Sequence, residues 1–194
     1  MRERVKIQIL KNLLQEITKK YDEFIQEREK LYRQTFDRAI HDTLTGLYNR
    51  QYLLDYLLRI REKAIRQNER LELIFMDLDN FKYINDTFGH RKGDEVLREV
   101  ARILSEHFRQ YDMVVRYGGD EFVALLEAAS PNVSVERRLD GLRKNIEKAF
   151  EPYGLSISYG IALCPEDTTD CNELINIADE RMYENKRKRR TNSR

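Results

Sequence analysis

The sequence predicts an α/β fold in which a mixed sheet is surrounded by helices and preceded by one long helix. Over most of the 194 residues, helix-period segments alternate with short apolar runs, a pattern typical of α/β domains. Two of the apolar runs flank a Gly-Gly dipeptide, which predicts an antiparallel hairpin within the alternating pattern. The first 40 residues contain neither Gly nor Pro, which favours an uninterrupted helix.

Composition limits the class of protein. Hydrophobic residues make up 41% of the chain and charged residues 36%, so a packed core is expected. The formal net charge of +1 argues against a general nucleic-acid binder. No apolar stretch reaches the roughly 18–20 residues of a spanning helix, so we expect no membrane segment and a cytoplasmic protein. Cys164 and Cys171 lack the spacing of a zinc or redox motif and are interpreted as small core or surface residues.

Residues 1–40 are expected to form a coiled-coil helix. Apolar residues recur at steps of three and four from Ile7 to Leu31, a heptad pattern sustained over about four repeats. Such a pattern implies a partner helix, whereas the alternative is a helix that packs on its own domain. Arg28 and Thr35 interrupt the pattern near its C-terminal end, which weakens the pairing there.

The remaining elements follow in order along the chain. Amphipathic or capped segments predict helices at 51–68, 80–88, 93–110, 134–150 and 171–186. Apolar runs predict strands at 71–79, 113–117, 122–126 and 155–163. Because two strands are adjacent in a hairpin while the others alternate with helices, the sheet is expected to be mixed. The chain is therefore divided into a coiled-coil helix at 1–40, a globular domain at 41–190 and a tail at 191–194.

Carboxylates are concentrated where two of these strands meet a turn. Asp77 and Asp79 end the strand at 71–79, two residues apart, so both side chains point to one face. Asp120 and Glu121 directly follow the two glycines of the hairpin. If the two strands are neighbours, the carboxylates converge and need a cation such as Mg²⁺ or Mn²⁺. Either half alone is explained by an acidic edge or turn, but both together favour phosphate chemistry on a nucleotide.

A second set of polar residues lies between the strand and the hairpin. Asn85 provides an amide and Asp94 a carboxylate, and the two together can satisfy a pair of donors and an acceptor of a guanine base. Asp94 also follows Gly93 at a plausible helix N-terminus, where it would instead cap backbone N–H groups. Position in the sequence leaves both interpretations open.

These residues lie within motifs that resemble a known family. The motifs are DTLTGLYNR at 42–50, DLDNFK at 77–82, NDTFGH at 85–90, Gly93-Asp94, and RYGGDEF at 116–122. Their order and spacing are similar to those of the GGDEF family of diguanylate cyclases. The resemblance runs from about Asp42 to Arg190. It implies a nucleotidyl-cyclase-like fold with a central five-stranded mixed sheet, and the condensation of two GTP into cyclic di-GMP and two pyrophosphates.

The resemblance also implies roles in catalysis and base recognition. The family's metal ligands fall on Asp77, the backbone carbonyl of Leu78, and Asp120, for two Mg²⁺ or Mn²⁺ ions per active site. Asp120 would help to deprotonate the ribose 3′-OH, with Glu121 beside it in support of metal or substrate. The guanine-binding pair falls on Asn85 and Asp94.

Phosphate-binding positions follow from the same resemblance. Lys82 and the backbone around Asn80 and Phe81 would contact the terminal phosphates, next to the hairpin glycines Gly118 and Gly119. The last helix would add Lys186 and Arg190. This chain departs from the family just before Arg190, where the family usually has Gly, so Lys186 is the firmer assignment.

The product of this reaction implies a dimer. Cyclic di-GMP is two-fold symmetric, and an active site that holds one GTP cannot make it alone. Two domains must therefore face each other, and the N-terminal heptads would form the homodimer. In many relatives such a helix joins the cyclase to a sensory domain, so an upstream sensor or partner is compatible with this chain.

Arg109 and Asp112 lie three residues apart, shortly before the hairpin. An exposed ion pair of little energy is the simplest interpretation. The spacing also resembles the family's Arg-x-x-Asp inhibitory site, which implies that cyclic di-GMP is an inhibitor as well as the product. A further arginine would complete that site, and Arg137, Arg138 and Arg143 are the candidates.

Two other classes of function are weighed against an active cyclase. A degenerate member would bind GTP or cyclic di-GMP as a sensor without catalysis, but such members typically lose the strand-end Asp or the hairpin motif, and both are present here. A coiled-coil interaction protein would explain residues 1–40 and leave the motifs between 77 and 122 unexplained. The sequence therefore favours the active enzyme.

Overall fold

The computed structural model describes residues 2–127 and 135–192, and the chain divides into two compact units at residues 1–39 and 40–194. The first unit is a single helix, α1 (Arg2–Ile40), as the absence of Gly and Pro predicts. Its apolar heptad side chains are exposed; Leu10 and Leu14, for example, are each 66% exposed. The helix therefore carries an apolar face that is available to a partner.

The second unit alternates helices and strands. Its helices are α2 (Arg50–Gln67), α3 (Phe81–Phe88), α4 (His90–His107), α5 (Val135–Ala149) and α6 (Cys171–Asn192). Its strands are β1 (Tyr48–Asn49), β2 (Leu71–Asp79), β3 (Met113–Gly118), β4 (Glu121–Glu127) and β5 (Ser156–Cys164). A short 3₁₀ turn, Glu151–Tyr153, precedes β5. Within the described residues, no helix combines the length and the apolar content needed to cross a bilayer.

The five strands form one mixed sheet in the order β1-β3-β4-β2-β5. The strand β1 is parallel to β3, whereas β3–β4, β4–β2 and β2–β5 are antiparallel. The prediction of a five-stranded mixed sheet surrounded by helices is confirmed. A strand of two residues, such as β1, has too little pattern to be predicted from the sequence.

Helices cover both faces of the sheet, and alternate residues of β2 face opposite sides. Ile74, Met76 and Leu78 pack into a core with α3, α4 and α5, while Leu73 and Phe75 pack into a second core with α2 and α6. Because β2 is buried on both faces, its sequence is a continuous apolar run. The same alternation places Asp77 and Asp79 on the face that α6 covers. Cys164 and Cys171 are both buried on that side.

Two predicted helix ends were wrong. The helix predicted to end at 110 ends at His107, so Arg109 and Asp112 lie in the turn before β3 rather than on the helix. The last helix continues past 186 to Asn192 and so includes part of the predicted tail, because no Gly or Pro stops it there. The helix predicted at 134–150 was expected to begin at residue 134, which lies outside the described residues.

Candidate active site

The end of β2 and the turn of the hairpin lie side by side. Asp77 is paired with Glu121 across the antiparallel strands, and the Leu78 N–H donates to the Asp120 carbonyl oxygen at 3.2 Å. The structure therefore brings together the two groups of carboxylates that are more than 40 residues apart in sequence.

The hairpin turn is held by Arg116. Its Nε and Nη2 donate to the Gly119 carbonyl oxygen at 3.1 and 2.9 Å, and its Nη1 donates to Asp42 Oδ1 at 3.1 Å. Gly119 has φ +50°, a conformation that favours glycine at this turn. Burial alone would raise the pKa of Asp42, but hydrogen bonds from Thr45 and Arg116 lower it overall. Arg116 thus ties the turn that presents Asp120 to the loop after α1.

Excess negative charge accumulates at this site. Lys186 of α6 donates to Asp77 Oδ1, and its Nζ lies 3.7 Å from Asp79 Oδ1. Burial raises the pKa of Asp77, and Asp120 and Asp79 raise it further, although Lys186 acts in the opposite direction. Burial also raises the pKa of Glu121, as do the neighbouring carboxylates. A lysine offsets part of this charge, and a divalent cation would offset more.

The donor set fits Mg²⁺ or Mn²⁺. Among the described residues, no three His, Cys, Asp or Glu side chains are grouped as a metal site. The set expected from the sequence does not require such a group, since it comprises Asp77, Asp120 and the carbonyl of Leu78. Mg²⁺ commonly binds one or two carboxylates and completes its shell with water and substrate phosphates. Carboxylate and carbonyl oxygens are the donors that these cations prefer.

The proposed guanine residues lie close together where α3 packs on α4. A Cβ added to Gly93 would lie 2.0 Å from Asn85 Oδ1, so the Asn85 side chain occupies space that only glycine leaves open. Asp94 is the next residue. Since α4 begins at His90, Asp94 lies inside the helix, and the alternative that it caps the helix N-terminus was wrong.

The expected phosphate residues surround the start of α3. Asn80 has φ +69°, and its Nδ2 donates to the Gly154 carbonyl oxygen at 2.9 Å, which fixes the turn between β2 and α3. Phe81 is buried, whereas Lys82 is exposed in the first turn of the helix. The backbone is therefore anchored while the lysine is accessible.

The last helix contributes a cation that the sequence analysis did not place in the site. Arg189 Nη1 donates to Asp79 Oδ2 at 2.9 Å. Its place in the site could have been inferred from the sequence. Residues three apart on a helix share a face, and Lys186, three residues before Arg189, was already assigned to the site. The side chain of Arg190 lies outside the described residues.

The turn between α4 and β3 brings the expected inhibitory residues together. Asp112 Oδ2 accepts a hydrogen bond from the Arg109 N–H at 2.9 Å, and Arg109 Nη1 donates to the Tyr111 hydroxyl at 2.7 Å. Arg138 Nη2 lies 3.8 Å from Asp112 Oδ2, while Arg143 pairs with Asp140. A cavity of about 250 Å³ borders Arg109 and Asp112. Arg138 is thus the candidate arginine that faces this pair.

A mixed five-stranded sheet with carboxylates at adjacent strand and hairpin ends defines a nucleotidyl-cyclase-like domain. The family model described as "Diguanylate cyclase, GGDEF domain" matches residues 39–192, and the chain belongs to this family.

Relatives of known name agree with this assignment. The bifunctional diguanylate cyclase/cyclic di-GMP phosphodiesterase MucR from Pseudomonas aeruginosa is 41% identical over 155 residues, which cover 78% of this chain and 22% of MucR. The chain therefore spans about a fifth of the length of this curated relative.

Two solved structures are similar over most of the chain. The coiled coil and GGDEF domain of DgcB from Caulobacter crescentus, in complex with c-di-GMP, has a TM-score of 0.77 at 28% identity and covers 90% of this chain and 94% of that one. The diguanylate cyclase SiaD from Pseudomonas aeruginosa, in complex with its activator SiaC, has a TM-score of 0.72 at 30% identity and covers 96% of this chain and 72% of that one.

Proposed function

We propose that this chain catalyses the condensation of two GTP molecules into cyclic di-GMP and two pyrophosphates. The observation that carries the proposal is the juxtaposition of Asp77, Asp120 and Glu121 beside Lys186, in a chain of the GGDEF family that retains the family's motifs. The coiled-coil role of residues 1–40 and the catalytic role of 41–190 are parts of the same proposal.

In this proposal each residue of the site has a distinct role in phosphoryl transfer. Two Mg²⁺ or Mn²⁺ ions, when bound, offset the triphosphate charge and acidify the attacking 3′-OH. Asp77, Asp120 and the Leu78 carbonyl would hold them, Asp120 would help to deprotonate the 3′-OH, and Glu121 would support metal or substrate. Lys186 exchanges its contact with Asp77 for a substrate phosphate.

Other residues position the substrate. Asn85 and Asp94 bind the guanine edge, and the Asn80–Lys82 turn contacts the terminal phosphates together with Arg190. Gly118 and Gly119 allow the hairpin backbone to approach the nucleotide closely. This positioning supplies the proximity that in-line attack requires.

We also propose that the reaction takes place across a homodimer formed by α1. Its exposed heptad side chains support this, as does the similarity to a DgcB structure that includes a coiled coil. Because SiaD is bound by an activator, an upstream sensor or a protein partner is a reasonable input for this chain too. GTP as substrate places the domain in the cytoplasm.

Product inhibition is the last part of the proposal. Arg109, Asp112 and Arg138 would hold cyclic di-GMP through charge-assisted bonds from the arginines and acceptor bonds to Asp112. The adjacent cavity and the cyclic di-GMP complex of DgcB support this assignment.

The proposed function is tested by incubating the purified chain with GTP and Mg²⁺ and identifying the nucleotide product by mass spectrometry. Asp77→Asn and Asp120→Asn are each expected to lose turnover while the fold survives, because removing a carboxylate relieves repulsion in the cluster. Glu180→Gln makes the same change of charge on an exposed face of α6 and should retain activity. Undiminished activity in Asp120→Asn would contradict the assignment, and GTP binding without product would indicate the degenerate sensor instead.

A further inference from the structure

Arg189 is the centre of a hydrogen-bond network at the edge of the sheet. Besides Asp79, its Nη1 donates to the Ile157 carbonyl oxygen at 2.8 Å. Its Nη2 donates to Glu147 Oε1 at 3.0 Å and to Ser156 Oγ at 2.7 Å. Four acceptors from three elements thus converge on one guanidinium group, whose planar fork is suited to such bonds.

The network connects opposite sides of the sheet. The helices α5 and α6 pack into different cores on the two faces, and β5 is the edge strand next to β2. Arg189 reaches from the end of α6 past β5 to Glu147 near the end of α5. The last turns of α6, which carry Lys186, are therefore fastened to a helix on the other face.

Asp79 accepts hydrogen bonds within the same network. Its Oδ2 accepts from Arg189 and from the Ser158 hydroxyl, the latter at 2.7 Å. The Asp79 side chain is 17% exposed, as is that of Lys186. Asp77, two residues earlier, accepts a hydrogen bond from Lys186. Lys186 thus lies near both carboxylates, whereas Arg189 donates to Asp79.

We propose that Arg189 is a positioning residue for the cyclase reaction. By fastening α6 to α5 it holds Lys186 at the site, where the lysine can exchange Asp77 for a substrate phosphate, and by binding Asp79 it keeps that carboxylate out of the metal ligand set. The kinetic part of this inference rests on the proposed function, whereas the part about metal binding does not.

Comparing Arg189→Gln with Arg189→Lys distinguishes the effect of the hydrogen-bond geometry of Arg189 from the effect of its positive charge. In Arg189→Gln we expect kcat for cyclic di-GMP to fall by about tenfold or more, because misplacement of a phosphate-binding group by about 1 Å is that costly. The same variant should bind Mn²⁺ about three- to tenfold more tightly, since a nearby positive charge has been removed and Asp79 is released. Arg189→Lys keeps the positive charge and loses the planar fork of donors. Its Mn²⁺ affinity should therefore match that of the parent, and its kcat should lie between those of the parent and Arg189→Gln.

The measurements are Mn²⁺ titration by electron paramagnetic resonance, steady-state kinetics with GTP, and thermal unfolding. Lys188→Gln is the matched control, because Lys188 lies one position earlier in an exposed pair with Glu184 at 3.8 Å. A second check is Asp79→Asn combined with Arg189→Gln, which should return the Mn²⁺ affinity to the parent value.

Opposite outcomes are easily distinguished. Mn²⁺ affinity that is unchanged or weaker in Arg189→Gln would overturn the inference, as would an unchanged kcat with a lowered melting temperature, which is the result of a merely structural role. If the parent makes no cyclic di-GMP, the proposed function fails, whereas the Mn²⁺ titrations still decide whether Arg189 controls Asp79.

Discussion

Asn85 and Asp94, the proposed guanine-binding pair, lie where α3 packs on α4. Asn85 projects from α3 against Gly93 of α4, so any side chain at position 93 would displace it. Asp94 follows within the helix. As a carboxylate it accepts hydrogen bonds and donates none, which suits the N1–H and N2–H₂ edge of guanine and not the N1 acceptor of adenine.

Asp94→Ser is expected to weaken the preference for GTP over ATP without removing the metal ligands. A serine hydroxyl can donate as well as accept, so adenine no longer leaves a buried polar group unpaired, a mismatch that otherwise gives strong rejection. The measurement is the yield of cyclic di-GMP, cyclic GMP-AMP and cyclic di-AMP with equal GTP and ATP. A substantial yield of the mixed product from the parent chain would refute the role of Asp94 in base recognition.

At the scale of elements, α6 is the helix that joins the sheet to the site. Its backbone lies so close to β5 that a Cβ on Gly160 would lie 2.2 Å from the Ala178 carbonyl oxygen. Arg181 fastens the same helix, donating to the Ile161 carbonyl oxygen at 2.7 Å and to both carboxylate oxygens of Asp167 at 2.6 and 2.8 Å. The position of Lys186 therefore depends on contacts made one turn and more before it.

Asp167→Asn should destabilise the fold in a pH-dependent manner. The hydrogen bond from Arg181 is the main cause that holds the pKa of Asp167 below its usual 3.8, so the ionised form stabilises the folded state above that pH. Because Arg181 is 46% exposed, we expect a discounted loss of about 1 kcal/mol at neutral pH. The loss should shrink as the pH falls through and below the ordinary carboxyl range, about pH 4.

Urea unfolding of the parent chain and Asp167→Asn at neutral and acidic pH measures this difference. Glu184→Gln, which removes an exposed carboxylate paired with Lys188 on the same helix, is the control and should change stability little at either pH. A loss in Asp167→Asn that is equally large at acidic pH would contradict the ion-pair explanation.

The turn between α4 and β3 gives an independent prediction about inhibition. Arg109→Ala removes donors that can bind a phosphate or a guanine edge in a bidentate way. The variant should accumulate more cyclic di-GMP before inhibition stops the reaction. Less nucleotide should remain bound to it after purification. Arg102→Ala is the control, because Arg102 pairs with Glu99 and Glu106 on the exposed side of α4.

Inhibition by added cyclic di-GMP, measured from initial rates, checks the assignment. Arg138→Ala should weaken inhibition in the same direction, since Arg138 faces Asp112. Equal inhibition constants in Arg109→Ala and the parent would show that the Arg109 side chain has no part in inhibition.

For the molecule as a whole, the proposed reaction needs two active sites, and α1 is the proposed interface between them. Leu10, Leu14 and Ile17, at heptad positions along α1, are each more than 60% exposed. A single helix that exposes such a face gains little by itself, and pairing with a second copy would bury it.

Deletion of residues 1–40 should leave a folded and mainly monomeric domain whose specific activity rises with protein concentration. The domain retains both of its cores, so loss of activity at low concentration would reflect lost association. Sedimentation velocity and activity across a concentration series test this. In the full chain, Ile17→Glu should weaken the dimer more than Gln15→Glu, a control outside the heptad positions; equal dimerisation of the truncated and full chains would exclude α1 as the interface.

The sequence by itself determined the order of the helices and of the strands other than β1, the hairpin, and a set of candidate site residues that did not include Arg189. These features are local, because they depend on the period of apolar residues and on motifs that are contiguous in the chain. It did not determine the end of α4 or the extension of α6, where local signals for stopping are weak.

Only the tertiary structure decided which of these residues meet. Strand pairing placed Asp77 opposite Glu121, the start of α4 at His90 excluded the capping interpretation of Asp94, and the fold brought Arg138 to 3.8 Å from Asp112. Arg189 shows the physical reason most clearly. Its acceptors come from β2, α5 and β5, and contacts between segments distant in sequence depend on register and packing that no single segment encodes.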